Sequence, residues 1–349
     1  MPKPKIVVAP HFRHMVEVFD AGTHKRLENL GEIIWGRDGP MPQSDMEAVL
    51  VDATAVVFGS WEYGPHAIAA AGENLRFVLE VAGSHAHPEL NYRACLARGI
   101  KVGGCAHAFG PAVAEMGLAL SLAAGRLVSE GDAAFRSGEE KWLHDGTVGA
   151  VTTWGKTVGF VGAGGLSVSL QQLLTPFDVR FVAFDPWLQP SALAERGVEP
   201  LDLPDLFRVS DFIYVLAAPT PDNYEMIGVE LLQLLRPHQT LVLLSRAHLV
   251  DFEAMTDLVL EGRFRVAIDV WPTEPFDPSH RIREARNAVF SAHRAGAIPE
   301  ALLEIGRMVV HDLEHLLGGD DQGLRMQYAT PQMVDRLHPP GVDGGTGVL

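Results

Sequence analysis

The segment Val158–Trp187, VGFVGAGGLSVSLQQLLTPFDVRFVAFDPW, decides the fold. It reads as a strand, a glycine turn, a helix and a second strand that ends in an acid. Gly162 allows the tight turn, and Gly164 lets a pyrophosphate approach the N-terminus of the helix. Asp185 is placed to accept hydrogen bonds from a ribose and to repel a 2′-phosphate. The segment therefore predicts a dinucleotide site that prefers NAD to NADP, the alternative being an ordinary glycine-rich turn with a capping Asp.

Ser167 is a departure within this pattern. It occupies the third place of GAGGLS, where a glycine normally lets helix and strand pack closely. Serine is the next smallest polar residue, so we expect slightly looser packing and an intact phosphate cradle.

Short apolar runs recur along the whole chain and alternate with helical patterns. An α/β fold with parallel sheets covered by helices follows from this alternation. The first series comprises KIVVA (5–9), AVVFGS (55–60), RFVLEVAG (76–83) and IKVGG (100–104). The second begins at Thr157 and comprises TVGFVG, RFVAFD, FIYVLA, TLVLLS and RVAIDV.

Composition excludes several classes of protein. A chain of 349 residues with 47% hydrophobic content exceeds the usual span of one domain, and two domains are expected. The net charge of −16 argues against nucleic acid and anionic membranes as partners. Only Cys95 and Cys105 are present, which fits buried thiols in a reducing cytoplasm. No apolar run is predicted to be long enough for a signal peptide or a membrane span, so we expect a soluble cytoplasmic protein.

Four residues with charged or titratable side chains lie at or after the ends of predicted strands of the second series. Arg246 follows TLVLLS, Asp269 and Glu274 lie in RVAIDVWPTEPF, and His293 lies in NAVFSAHRAGA. Each alone is more often a structural residue. In an open parallel sheet, however, ligands bind beyond the carboxyl ends of the strands, so these residues should converge with the glycine turn.

The ordered set GAGGLS, FDP, AAPT, LLSRAHLVD, AIDVWPTEP and SAHRAG resembles the D-isomer-specific 2-hydroxyacid dehydrogenase family, which uses NAD. The resemblance implies two Rossmann-like or flavodoxin-like domains, with the cofactor domain inserted into a discontinuous substrate domain. Residues 1–109 with 299–349 would form the substrate domain, and 110–298 the NAD-binding domain. The segment LALSLAAGRLVSEGDAAFRSGEEKW resembles the dimerisation arm of the family and implies a homodimer through the cofactor domains.

The resemblance also assigns roles to residues. Arg246 would bind the carboxylate and carbonyl of a 2-keto acid, because its planar fork grips carboxylates and stays charged. His293 would be the acid/base that protonates the growing alkoxide, and Glu274 would orient it and favour its charged form. The cofactor contacts would be Gly162, Gly164, Gly165, Leu166, Asp185, Pro219, Ser245, Asp269 and Gly296.

The loop VAGSHAHPELN (81–91) is the expected substrate loop of the first domain. Backbone N–H groups at Gly83, Ser84 and His85 would hold the substrate carboxylate. The two-residue spacing of His85 and His87, without an acid cluster nearby, predicts no metal site. Trp61 and Tyr63 either line the pocket for the rest of the substrate or pack in the core of their own domain.

Two classes of function remain open. The first is an enzyme that reversibly reduces a small 2-keto acid to the D-2-hydroxy acid with NADH, similar to glyoxylate/hydroxypyruvate reductases or phosphoglycerate dehydrogenases. The second is a non-catalytic, corepressor-like protein that senses NAD(H) on the same fold. The lack of a basic surface favours the first. Which 2-hydroxy acid is used does not follow from the sequence, because loops form that pocket.

Overall fold

The computed structural model describes residues 3–83, 85 and 87–339. The chain divides into two compact units: unit 1 comprises Met1–Phe109 and Ala297–Leu349, and unit 2 comprises Gly110–Gly296. The boundaries predicted from the sequence lie after residues 109 and 298.

The strands occur in two series along the chain. In chain order they are β1 (Lys5–Ala9), β2 (Glu32–Trp35), β3 (Ala55–Phe58), β4 (Phe77–Glu80), β5 (Lys101–Gly104), β6 (Thr157–Val161), β7 (Arg180–Phe184), β8 (Val198–Pro200), β9 (Phe212–Val215), β10 (Thr240–Leu243), β11 (Arg265–Ile268), β12 (Ala288–Phe290) and β13 (Gln327–Tyr328).

The helices lie between these strands. They are α1 (Met15–Val18), α2 (Ala21–Leu30), α3 (Gln43–Leu50), α4 (Ala67–Ala70), α5 (Tyr92–Ala97), α6 (Ala106–Gly125), α7 (Val128–Ser137), α8 (Gly165–Leu174), α9 (Pro190–Ala194), α10 (Leu203–Val209), α11 (Val229–Leu232), α12 (Phe252–Leu260), α13 (Pro299–Leu317) and α14 (Pro331–Leu337). Short 3₁₀ turns cover Leu143–Gly146, Thr175–Phe177, Pro221–Asn223, Ala247–Leu249 and Arg281–Glu284.

Unit 1 is built on a six-stranded sheet of order β13-β5-β4-β3-β1-β2. Its strands pair in parallel except β13, which pairs antiparallel with β5. Alternate residues of a strand point to opposite faces, so Ile6 and Val8 enter one core cluster while Val7 enters another. A sheet covered on both faces explains why β1 and β3 read as continuous apolar runs.

Unit 2 is built on a seven-stranded parallel sheet of order β12-β11-β10-β9-β6-β7-β8. All four residues of each of β9, β10 and β11 are buried. Alternate side chains of these strands contribute to one apolar cluster with α12. The carboxyl ends of these strands share one edge of the sheet. The two parallel α/β sheets confirm the predicted fold class.

Helix α6 corrects one expectation from the sequence. Among the described residues it is the helix whose length and composition would suffice to cross a membrane, with a mean hydropathy of 1.3. Half of that window is buried inside the structure, and the hydroxyl of Tyr214 donates to Ser121 Oγ of this helix at 2.7 Å. The prediction that no segment is long and apolar enough was therefore wrong, although the core helix of a soluble protein meets the same criterion.

Candidate active site

The glycine turn between β6 and α8 contains two glycines with different constraints. Gly162 has φ +90°, and a Cβ there would lie 2.5 Å from backbone atoms of Ala217, so the fold itself requires glycine. At Gly164, in contrast, a Cβ would have no atom within 4 Å. The packing of the protein does not explain that glycine, whereas a ligand that lies against the backbone would.

The N-terminus of α8 suits an anion. Gly164 is the N-cap residue and provides no side-chain cap, so the first N–H groups of the helix are not satisfied by a capping side chain. Gly165 and Leu166 begin the helix, and Gly165 is exposed. A pyrophosphate bound here would receive hydrogen bonds from N–H groups together with the favourable helix dipole.

Asp185 follows β7 and is held beside this turn. Its Oδ2 accepts a hydrogen bond from the N–H of Ala163 at 2.7 Å. Its Oδ1 accepts from the N–H groups of Trp187 at 2.8 Å and Leu188 at 3.2 Å. The carboxylate is thereby fixed at the end of the second strand, where the sequence predicted the reader of the ribose.

The strand ends of β9 and β10 supply further candidate cofactor residues. Ser245 follows β10, is 8% exposed, and its Oγ has no hydrogen-bond partner in the described part of the chain. A buried hydroxyl without a partner fits a site that a polar ligand completes. Pro219 follows β9 in a turn that is closed by Asn223, whose Nδ2 donates to the carbonyl of Ala218 at 2.8 Å.

Arg246, the predicted substrate arginine, comes directly after Ser245 and is half-buried. Its Nη1 donates to the carbonyl of Ser245 at 2.8 Å. Burial lowers the pKa of Arg246 from its ordinary value, while the negative charge of Glu274 acts in the opposite direction. Arginine stays protonated in proteins, so the site has a cation that is only partly neutralised.

Glu274 and His293 are in direct side-chain contact. Nδ1 of His293 lies 2.6 Å from Oε2 of Glu274, and the two side chains are 38% and 37% exposed. The other carboxylate oxygen of Glu274 accepts from the N–H of Trp271 at 3.1 Å. The bond from Trp271 thus orients the carboxylate, and the contact with the carboxylate orients the imidazole. Nε2 of His293 has no hydrogen-bond partner among residues 3–83, 85 and 87–339.

Trp271 anchors the loop that carries Glu274. Its indole N–H donates to the carbonyl of Ser291 at 2.8 Å, and its ring stacks on Phe276 with centroids 4.5 Å apart. The indole therefore joins the loop after β11 to the loop that carries His293. Sequence reasoning missed this residue, although an aromatic residue between the predicted strand end and Glu274 was a visible signal.

Asp269 holds the backbone of the histidine loop. It is fully buried, and its carboxylate accepts from the N–H groups of Arg294 at 2.9 Å and Ala295 at 3.1 Å. Its carbonyl accepts from the N–H of His293 at 2.6 Å. His293 has φ +50°, a left-handed conformation that costs a non-glycine residue roughly 1–3 kcal/mol. The bonds to Asp269 keep His293 in this conformation, a positioning role that the sequence did not reveal. Gly296 ends unit 2 shortly after this loop.

The expected substrate loop lies in unit 1, and Ser84 falls outside the described residues. The carbonyl of Gly83 accepts from the N–H of Cys105 at 2.8 Å. The N–H of His85, which was expected to hold the substrate carboxylate, donates instead to Oε2 of Glu80 at 2.9 Å. In this structure that N–H is therefore engaged within unit 1.

Glu80 is buried under this loop with His87 beside it. Nε2 of His87 lies 3.2 Å from Oε1 of Glu80, and both side chains are 2% exposed. The two atoms are close enough for an ion pair but are not aligned as a hydrogen bond. Burial also lowers the pKa of His85. The buried carboxylate of Glu80, the last residue of β4, holds the loop. The sequence did not reveal this role, because Glu80 lies within an apolar strand pattern.

Trp61 and Tyr63 of unit 1 were predicted either to line the substrate pocket or to pack in the core of their own domain. Trp61 is 2% exposed and packs edge-on against Phe58 with centroids 5.2 Å apart, so it belongs to the core. Tyr63 packs edge-on against Trp61, and it also lines a small cavity together with His11 and Met41. In the described part of the chain no three His, Cys, Asp or Glu side chains are grouped as metal ligands.

The geometry of unit 2 defines a class of protein. A glycine turn at a helix N-terminus and an acid at the next strand end are the parts of a dinucleotide-binding domain. An arginine, a glutamate and a histidine at the same edge of the sheet add groups suited to acid/base chemistry. The family model described as the NAD binding domain of D-isomer specific 2-hydroxyacid dehydrogenases matches residues 118–295. The chain belongs to this family, and unit 2 contains its NAD-binding domain. The family and the cofactor predicted from the sequence are thereby confirmed.

The relatives with known names include both a phosphoglycerate dehydrogenase and a glyoxylate reductase. D-3-phosphoglycerate dehydrogenase of Mycobacterium tuberculosis is 31% identical over 290 residues, which cover 83% of this chain and 53% of the relative. The chain thus spans about half the length of the first curated relatives it matches. Glyoxylate reductase of Korarchaeum cryptofilum is 26% identical over 342 residues, covering 97% of this chain and 99% of the relative. A solved phosphoglycerate oxidoreductase from Rhizobium etli has a TM-score of 0.82 and 33% identity, covering 94% of this chain and 98% of that chain.

Proposed function

We propose that the protein catalyses the reversible, NAD-dependent reduction of a small 2-keto acid to the D-2-hydroxy acid. The observation that carries this proposal is the 2.6 Å contact of His293 with Glu274 at the sheet edge that also holds Arg246 and the glycine turn. An acid/base, a group that orients it and a cation for a carboxylate are what such a reaction requires from the protein. When bound, NAD supplies the hydride chemistry.

Each side chain has one task in this reaction. His293 gives a proton to the alkoxide oxygen during reduction and takes it back during oxidation. Glu274 holds the imidazole through Nδ1, which leaves Nε2 for the substrate oxygen. Arg246 binds the substrate carboxylate and polarises the carbonyl. The turn at Gly164 and the carboxylate of Asp185 would hold the pyrophosphate and the adenosine ribose of the cofactor.

The names of the relatives leave a choice between kinds of 2-keto acid. 3-Phosphohydroxypyruvate, the 2-keto acid that corresponds to 3-phosphoglycerate, differs from glyoxylate in size and in charge beyond the carbonyl. Nothing in the site favours the non-catalytic NAD(H)-sensing alternative.

The test is NADH oxidation with a panel of glyoxylate, hydroxypyruvate, pyruvate and 3-phosphohydroxypyruvate. We expect NADH consumption with at least one of them and its loss in the His293→Ala variant. Arg208→Gln, a change on the exposed face of α10, serves as the matched control. Among the described residues the side chain of Arg208 pairs with Asp205 on its own helix. The backbone carbonyl of Arg208, which the change keeps, accepts from Nη2 of Arg236. If NADH binds but no member of the panel is reduced, the enzymatic proposal fails and the sensing alternative is favoured.

We also propose that two copies associate through the cofactor domains, by means of residues 118–142, the segment that resembles the dimerisation arm of the family, together with the adjoining Leu143. Large apolar side chains are exposed there, Phe135 at 64%, Trp142 at 69% and Leu143 at 88%. A group of exposed large apolar side chains indicates a protein interface, and a second copy is the partner because the segment resembles the dimerisation arm of the family. Light scattering at micromolar concentration should give twice the mass of one chain. Leu143→Glu should shift the mass toward one chain, and a monomeric parent would contradict the proposal.

A further inference from the structure

Ser167, which stands in place of the third glycine, is fully buried and uses both hydrogen-bonding functions of its hydroxyl. Its Oγ donates to the carbonyl of Gly164 at 2.7 Å. The same Oγ accepts a hydrogen bond from Nη2 of Arg196 at 3.0 Å. The serine is therefore a link between the glycine turn and a residue 29 positions further along the chain.

Arg196 reaches the turn from the segment between α9 and β8. Its Nη1 donates to the carbonyl of Ala163 at 2.7 Å, and its Nη2 is also 3.4 Å from Oε1 of Gln171. Gln171 lies one helical turn after Ser167 on the same face of α8, and its Nε2 donates back to the carbonyl of Arg196 at 2.7 Å. Gly197, with φ +70°, then reverses the chain into β8. The guanidinium is thus held by α8 and by the turn at once.

The charge of Arg196 has no direct counterion in the part of the chain that the structure describes. Within the described residues no carboxylate oxygen lies within ion-pair distance of its guanidinium, which is half-buried. Burial lowers the pKa of Arg196, and the charge of nearby Asp185 raises it. A half-buried cation bound mainly to carbonyl and hydroxyl oxygens contributes positive potential to its surroundings.

We propose that Ser167 and Arg196 are positioning residues of the cofactor site. Together they hold the carbonyl groups of Ala163 and Gly164 toward the protein, so that the N–H groups at the start of α8 face the pyrophosphate. The inference rests on the proposed function only in requiring that unit 2 binds the dinucleotide.

The physical reason lies in the sign of the peptide dipole. A carbonyl oxygen that faced the pyrophosphate would repel it, whereas N–H groups at a helix N-terminus attract it. Arg196 and Ser167 each bind one of the two carbonyls preceding α8, and the positive charge of Arg196 adds to the attraction. The third glycine of the usual pattern serves close packing, and here a hydrogen-bonded network occupies that place.

The test measures binding to the whole protein without turnover. The dissociation constant for NADH is followed by fluorescence, and that for ADP-ribose, which lacks the nicotinamide, by competition. The variants are Ser167→Ala, Arg196→Gln, the double variant and Arg196→Lys, with Arg208→Gln as the matched surface arginine control. The melting temperature of each apo variant shows whether it folds.

We expect Ser167→Ala and Arg196→Gln each to weaken both ligands by at least about fivefold, the effect of losing one or more hydrogen bonds of roughly 1 kcal/mol. The double variant should be weaker by less than the product of the single effects, because the two side chains share a bond. Arg196→Lys should recover part of the affinity by keeping the charge. Arg208→Gln should bind as the parent does.

Some outcomes would overturn the inference. Affinities within twofold of the parent in both single variants, with or without a lower melting temperature, would mean that the network only supports the fold. A loss for NADH without a loss for ADP-ribose would place the effect outside the turn. If Arg196→Gln does not fold, Ser167→Ala and Arg196→Lys decide in the same way. A parent that binds neither ligand would instead contradict the proposed function.

Discussion

The imidazole of His293 and the carboxylate of Glu274 meet at 2.6 Å, although the two residues lie on different loops and 19 positions apart in the chain. Both side chains are more than a third exposed, so solvent screens the pair and its value for stability is small. Its importance is therefore chemical, and the pair should influence catalysis more than folding.

Glu274→Gln tests this chemical role. The amide keeps the shape of the side chain but replaces the carboxylate that contacts Nδ1 of His293 with a neutral, weaker acceptor. The imidazole should then be held less firmly for proton transfer, so the rate of reduction should fall while NADH affinity stays close to that of the parent. Pre-steady-state reduction and NADH fluorescence measure the two quantities. A rate equal to that of the parent would mean that Glu274 has only a structural role.

His293→Ala should separate chemistry from binding. Without a proton donor, reduction should fall by about 10²- to 10⁴-fold, the usual contribution of general acid catalysis. NADH affinity, measured by fluorescence, should stay close to that of the parent because the glycine turn and Asp185 are unchanged. Equal losses of rate and affinity would contradict the assigned role.

Gly162→Ala and Gly164→Ala form a matched pair. A methyl group at position 162 would meet the backbone of Ala217 at 2.5 Å in a left-handed conformation, so this variant should lose roughly 1–3 kcal/mol of stability. A methyl group at position 164 would meet no protein atom within 4 Å. That variant should therefore melt near the parent but bind NADH more weakly. Thermal unfolding and NADH titration of both variants check the contrast, and unchanged affinity in Gly164→Ala would argue against a pyrophosphate at this turn.

Asp185→Ser concerns the choice of cofactor. Loss of charged hydrogen bonds to the ribose, worth about 1.5–3 kcal/mol, should weaken NADH by roughly 10- to 100-fold. NADPH should gain relative to NADH, since the repulsion of the 2′-phosphate is removed and Arg196 lies nearby. The ratio of the two dissociation constants is the measurement, and a ratio equal to that of the parent would refute the role of Asp185.

Asp269→Asn probes the support of the histidine loop. An amide can accept from only one of the two N–H groups at Arg294 and Ala295, and its NH₂ would face the other. An unsatisfied buried donor costs about 1–3 kcal/mol, and His293 should leave its left-handed conformation more readily. We expect a lower melting temperature and a reduced kcat. A variant with the kcat of the parent would mean that the loop is held by other contacts.

Much of unit 2 could be predicted from the sequence because each signal there is local. Buried parallel strands appear as apolar runs, and the residue after each run lies at the ligand edge. The same logic brought Arg246, Glu274 and His293 to one edge, although the roles of these residues came from the family resemblance. Asp269 was found by its position, but its bonds to the histidine loop were not.

Contacts between distant segments could not be predicted. Arg196 lies in a short helix-to-strand connection with no motif of its own, and only folding brings it to Ser167. Glu80 reads as the last residue of an apolar strand, so its bond to the N–H of His85 was hidden. In both cases a charged side chain binds main-chain atoms. Every residue has such atoms, so the amino-acid sequence does not indicate which of them will be bound.

Ala163 of the turn is held by two side chains: Asp185 accepts from its N–H, and Arg196 donates to its carbonyl. The residues that recognise the adenosine ribose and those that recognise the phosphates therefore depend on each other in this protein. A substitution that alters the preferred nicotinamide coenzyme also removes one support of the anion cradle. An evolutionary or engineered route from one coenzyme to the other would thus pass through a weak-binding intermediate unless a second change first provides a new acceptor for that N–H.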